Sequence, residues 1–303
     1  MGDKKSKVIV TGGAGFIGSN LVDALVERDF DVHVIDNLVN GKRENVNKKA
    51  KLHVLDITNL KSIEPIFKNA EYVFHLAALP RVQHSIEHPQ ETNLVNVGGT
   101  LNVLTASQKA GAKKVIYSAS SSAYGDQIIM PLKENMPASP KSPYGLQKYI
   151  GELYCKAWNE IFQLPTVSLR YFNVYGPRNN AEGAYASVIA KFLKQRANGE
   201  PMTITGDGEQ TRDFTHVRDV VRANILAMES DKVGKGEVIN IGAGQNQSVN
   251  RIAELIGGPV VYIPARFEPR NTLADNSLAK KLLGWEPQVT IEERIAELKC
   301  HGK

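Results

Sequence analysis

Apolar positions in the first half of the chain come in short, dense blocks. KVIVT, residues 7–11, is apolar and β-branched almost throughout; FIGSNLVDALVE spaces its apolar residues three and four apart; DVHVID closes a second block at Asp36. Continuous apolar runs of this length suit strands buried on both faces, and the three-and-four spacing suits a helix lying across them. The alternation returns in LHVLD, YVFHLAA, KKVIYSAS and TVSLRYFNVYG, with helical stretches such as NVGGTLNVLTASQKAG between them. Strand and helix in strict turn predict an α/β fold, a doubly wound parallel sheet covered on both faces.

The texture changes after Asn173. Residues 176–214 are rich in Gly, Pro, Asn and charge, with one helix expected at YASVIAKFLKQRANG. EVINIGAG reads as a further strand, followed by the helix SVNRIAELIG and a tail carrying ADNSLAKKLLGWEP. The expected organisation is a first domain over 1–175, to which segments near 215–245 return, and a smaller C-terminal domain over 176–303. No internal repeat or low-complexity stretch interrupts it.

Composition narrows the partners. The 303 residues are 42% hydrophobic and 23% charged, which is ordinary for a soluble globular protein. Apolar runs such as EYVFHLAAL fall well short of the ~20 residues that span a bilayer, so no membrane partner is expected. Cys155 and Cys300 lie far apart and offer neither a disulfide framework nor a zinc knuckle; no metal is expected, and a cytoplasmic location fits. The net charge of +5 has its only dense cluster in the Lys4, Lys5, Lys7 tail, without a nucleic-acid signature. An anionic small substrate accounts for it better than nucleic acid. The opening MGDKKS matches the formal myristoylation pattern, yet a strand follows almost at once and a Lys-rich tail explains it.

Two motifs carry chemistry. TGGAGFIGS sets Gly12, Gly15 and Gly18 between the first strand and the first helix. Backbone there turns tightly, approaches a pyrophosphate and presents helix N-terminal N–H groups to its charge. Asp36 ends the next strand 18 residues beyond Gly18. A carboxylate at that place accepts the hydroxyls of an adenosine ribose and repels a 2′-phosphate, which favours NAD over NADP. Asp56, closing LHVLDIT, can reach the adenine edge together with the Ile57 backbone, or can simply cap a turn.

The second motif is SPYGLQKYIGE, residues 142–152. Ser142 suits a helix N-cap and Pro143 the first turn, so Tyr144 and Lys148 share one face. A positive neighbour favours the phenolate and is expected to lower a pKa that is otherwise about 10, fitting Tyr144 for general acid–base work. The serines of IYSASSSAYG end the preceding strand and should face the same crevice.

Taken in order, the glycine cluster, the serines before AYG and SPYGLQK resemble an extended short-chain dehydrogenase/reductase, whose nucleotide domain is a Rossmann fold. The resemblance covers almost the whole chain. It implies Ser120 as the hydroxyl that polarises the substrate oxygen, Tyr144 as the proton-exchanging group, and Lys148 as the residue that holds the nicotinamide ribose and tunes the tyrosine. It also implies cofactor contacts from Phe16, Ile17, Asn37, Asp56, Ile57, Leu76, Ala77 and Ala78. Nucleotide-sugar 4,6-dehydratases of this family carry Asp and Glu where this chain has Ser121 and Ser122, which argues against dehydration.

The second half is similar to the UDP-glucose (UDP-galactose) 4-epimerase family and its UDP-N-acetylglucosamine relatives. That similarity implies substrate contacts from Ser85 in RVQHSIEHP, Asn173 in RYFNVYGPR, Arg212 in GDGEQTRDF, and Arg266 with Glu268 in PARFEPRNT. Guanidinium forks bind diphosphate oxygens bidentately. Thr272 falls where some members carry a bulky Tyr, so its small side chain would leave room for an acetamido group. The expected reaction is epimerisation at carbon 4 of a UDP-hexose through a 4-keto intermediate, by a homodimer. A net oxidoreductase or decarboxylase, and a non-catalytic NAD sensor, are the other readings.

Overall fold

The computed structural model describes residues 5–180, 187–265 and 270–301, without the side chains of the last two. The predicted strands form and pair in parallel. Among the described residues seven make one sheet: β1 (Lys7–Thr11), β2 (Asp31–Asp36), β3 (Lys51–Val54), β4 (Tyr72–His75), β5 (Lys114–Ser120), β6 (Thr166–Tyr171) and β7 (Lys235–Ile241), in the spatial order β7-β6-β5-β4-β1-β2-β3. The chain runs outward one way from β1 through β2 and β3, and the other way from β4. The join between β1 and β4 is therefore the point where the winding reverses, and such points hold ligands beyond the strand carboxyl ends.

Alternating residues of each strand serve opposite faces. Val8 and Val10 of β1 enter a core with Leu21, Val22 and Leu25 of helix Phe16–Glu27 and with the helix Val217–Glu229. Ile9 enters the other core, with Ile63, Phe67, Val103, Leu104 and Cys155. Both faces of the sheet are thus dry, as the unbroken apolar strands require.

Two parts of the second half return to the first core. One holds helix Val217–Glu229 and strand β7, and the other is the tail, through Ala279, Leu283 and Trp285. A separate core gathers Tyr175, Ile189, Phe192, Ile204, Phe214, Ile252 and Ile295 under a second, smaller lobe. Among the described residues no helix is long and apolar enough to cross a membrane, and no cluster of three or more His, Cys, Asp or Glu is fit to hold a metal.

Candidate active site

At the carboxyl ends of β1 and β4, between sheet and second lobe, lies a crevice of about 1710 Å³. Its first wall is main chain. Gly12 leaves β1 with φ +73°, and any Cβ there would stand 2.7 Å from the Ala77 nitrogen. At Gly18 a Cβ would stand 2.1 Å from the Gly12 oxygen. These glycines let the first helix begin against the sheet edge, with its N-terminus at Gly15 in the crevice. The Asp36 carboxylate is fixed there too, accepting the Ala14 N–H at 3.0 Å and the Leu38 N–H at 2.8 Å. Asp56 accepts from the Thr58 N–H and hydroxyl, as a turn-forming residue does, and from Asn37 Nδ2 at 2.9 Å. Asn37, Asp56 and Ile57 line the crevice with Phe16 and Ile17.

The opposite wall, Leu76 to Ala78, is braced from beneath. Buried His75 bonds Thr11 Oγ1 through Nδ1 and Thr100 Oγ1 through Nε2, each at 2.8 Å. The Thr100 hydroxyl donates its one proton to the Asn96 oxygen, so Nε2 of His75 carries the imidazole proton. Burial pushes His75 down to about 3, which keeps it neutral. Asn96 clamps both main-chain groups of Leu79 and donates to Gln147 on the helix that carries Tyr144. Sequence reading missed this bracing, since its members are Thr, His, Asn and Gln spread from Thr11 to Gln147.

That helix, Pro143–Phe162, starts as its sequence dictates. The Ser142 hydroxyl accepts the Gly145 N–H at 3.1 Å, a cap worth about 1 kcal/mol. Tyr144 and Lys148 lie one turn apart and line the crevice with Ser120, the last residue of β5. The Ser120 hydroxyl donates to Ser122 Oγ at 2.9 Å, which links Ser122 to the same cluster.

The electrostatics depart from expectation. Burial pushes the Tyr144 phenol above its ordinary value, while a hydrogen bond with Ser120 pulls the other way. Lys148 does not act directly on the phenol. Its ammonium donates to the Ser118 carbonyl at 2.7 Å and lies 4.9 Å from the centre of the Tyr117 ring. Burial brings Lys148 down to about 8, against the pull of Cys155 and Glu152. Desolvation outweighs the single pair interaction that helix spacing suggests.

On the far side Asn173, Arg212 and Thr272 line the crevice. Ser85 does not: it is fully buried, its hydroxyl donating to the Val82 oxygen at 2.6 Å and accepting the Tyr144 N–H at 3.0 Å. It therefore anchors the Tyr144 helix rather than facing a sugar. Arg266 and Glu268 lie outside the described residues.

A strand-end carboxylate and a glycine-built helix start suit a nicotinamide dinucleotide, and Ser120 and Tyr144 line the same crevice. Together they fit the extended short-chain dehydrogenase/reductase class. More narrowly, the family model described as NAD dependent epimerase/dehydratase family matches residues 8–242, and the chain belongs to that family, with NAD as its cofactor. It is 36% identical over 309 residues to the UDP-glucose 4-epimerase of Mycolicibacterium smegmatis, with 96% of each chain covered. Among solved structures it is similar to the UDP-glucose 4-epimerase of Thermotoga maritima with UDP-glucose, at 42% identity and TM-score 0.92. It is likewise similar to the UDP-N-acetylglucosamine 4-epimerase of Methanobrevibacter ruminantium in complex with UDP-N-acetylmuramic acid, at 41% identity and TM-score 0.93. Both alignments cover 98% of each chain.

Proposed function

We propose that the protein epimerises a UDP-hexose at carbon 4. The observation that carries this reading is that Ser120, Tyr144 and Lys148 line one crevice with Asn173, Arg212 and Thr272. UDP-sugar 4-epimerases among the relatives support it. Bound NAD supplies the two-electron acceptor and donor for carbon 4. The chain's own residues manage the proton and the grip. Tyr144, as the phenolate, takes the proton of the 4-hydroxyl as carbon 4 becomes a ketone, and the phenol so formed returns it when the alcohol reforms. The Ser120 hydroxyl turns its proton from Ser122 to the oxygen on which charge develops. Lys148, held by the Ser118 carbonyl one helical turn from Tyr144, lines the same crevice. Arg212 and Asn173 hold the UDP end, so that the hexose can turn over between the two half-reactions. Ser121 and Ser122 offer no carboxylate to expel water from the neighbouring carbons, in keeping with a reaction confined to carbon 4. Thr272 leaves space for an N-acetyl substituent.

The deciding experiment supplies UDP-glucose without added reductant and follows both UDP-galactose and nicotinamide absorbance. Wild type should form UDP-galactose with no net absorbance change. Tyr144→Phe should lose about a hundredfold or more in kcat, the scale of a positioned acid–base group, while still binding NAD. Stoichiometric NADH would instead mark a net oxidoreductase, and NAD binding without turnover of any UDP-hexose would mark a sensor.

A further inference from the structure

Asp213 lies beside the crevice without lining it. It ends the short strand Thr211–Asp213 and is fully buried. Its carboxylate accepts three main-chain N–H groups: Ala243 at 2.6 Å on Oδ1, then Gly244 and Ala274, each at 3.0 Å, on Oδ2. Ala243 and Gly244 follow β7, whereas Ala274 belongs to the segment that leads back from the second lobe. The main chain of Asp213 completes the junction. Its N–H donates to Thr272 Oγ1 and its carbonyl accepts from Asn173 Nδ2, both at 3.3 Å. Asn173 Nδ2 also donates to Thr272 Oγ1 at 3.3 Å. Asp213 thus joins the segments at Ala243 and Ala274 through its carboxylate and Asn173 with Thr272 through its main chain, and Asn173, Arg212 and Thr272 at this junction all line the crevice.

We infer that Asp213 is a positioning residue for substrate, fixing Asn173, Arg212 and Thr272 in the arrangement that grips a UDP-sugar. This rests on the UDP-hexose reading above. The chemistry needs an aspartate. A carboxylate brings two acceptor oxygens to three donors, whereas an amide brings one and turns its NH₂ toward the remaining N–H groups. Glycine at 242 keeps the carboxylate its place, since an added Cβ there would stand 2.8 Å from Asp213 Oδ2 and 2.4 Å from the Ala274 Cβ. The junction also sets a hydrogen-bond polarity. Thr272 Oγ1 already accepts from two donors, so its own proton is the one left to offer an acceptor on the ligand.

The test uses the full chain loaded with NAD and UDP-glucose as the probe. Asp213→Asn removes the anion; Gly242→Ala keeps it but presses a methyl between Asp213 and Ala274. Both variants should raise KM for UDP-glucose at least tenfold, with kcat within threefold and NAD affinity within twofold of wild type. A merely structural role would move all three together with thermal stability. Unchanged KM in folded variants, parallel loss of kcat and NAD affinity, or failure of both variants to fold each overturns the inference. If wild type itself binds neither UDP nor UDP-glucose, the UDP-hexose reading falls and takes this inference with it; if wild type binds them and the variants bind equally well, only the role of Asp213 is lost.

Discussion

At one end of the crevice the walls are main chain hung from strand ends, and at the other they are side chains gathered from three separate stretches. The dinucleotide end uses consecutive residues after β1, then Asp36 at the end of β2 and Leu76 to Ala78 after β4, all registered by the sheet. The substrate end uses Asn173 after β6, Arg212 on a three-residue strand, and Thr272 beyond the second lobe. The first arrangement follows from the sheet once it exists. The second needs its own internal ties, and those ties are polar.

The contrast makes unequal predictions. Gly18→Ala should have the largest effect, because its Cβ would stand 2.1 Å from the Gly12 oxygen and must displace main chain. An NAD titration should show affinity lower by about a hundredfold, equivalent to ~3 kcal/mol, and unchanged affinity would show that this wall yields more easily than its geometry implies. Arg212→Ala should act at the other end only. Loss of charge-assisted bonds worth about 1.5–3 kcal/mol should raise the KM for UDP-glucose by about thirtyfold, with NAD affinity within twofold; a matching loss of NAD affinity would erase the distinction between the ends.

The smallest effect is a pH dependence at the boundary between them. With Lys148 lowered from 10.5 to about 8, turnover should decline severalfold as pH rises through 8 and the ammonium is lost. Stability should respond in the opposite sense. Between about 8 and 10.5 the unfolded chain binds this proton and the folded chain does not, so the contribution of Lys148 to stability improves as pH rises through that window. Parallel rate and melting profiles would check both signs, and a flat rate profile from pH 7 to 10 would remove Lys148 from the reaction.

Legibility followed the same division. The Tyr144–Lys148 spacing, the Ser142 cap and the glycine turn were readable because each depends on residues within a few positions. Ser85 was not. Nothing in RVQHSIEHP indicates that its hydroxyl will bond the Tyr144 N–H, 59 positions away, in place of a ligand. Asp213 was passed over beside Arg212, since an acid following a basic residue on a short strand has no local mark of burial. The only available signal was that TRDF sets it between a polar run and an apolar one.

What the sequence determined by itself was the alternation of strand and helix, the positions where main chain had to come close, and the placing of a phenol and an amine on one helix face. These are short-range consequences of side-chain shape and backbone dihedrals. The tertiary structure alone decided the ionisation of that phenol and amine, the direction of the Ser85 hydroxyl, and the gathering of distant segments around one carboxylate. Solvation and hydrogen-bond partnership depend on what arrives from far along the chain, and only folding brings it there.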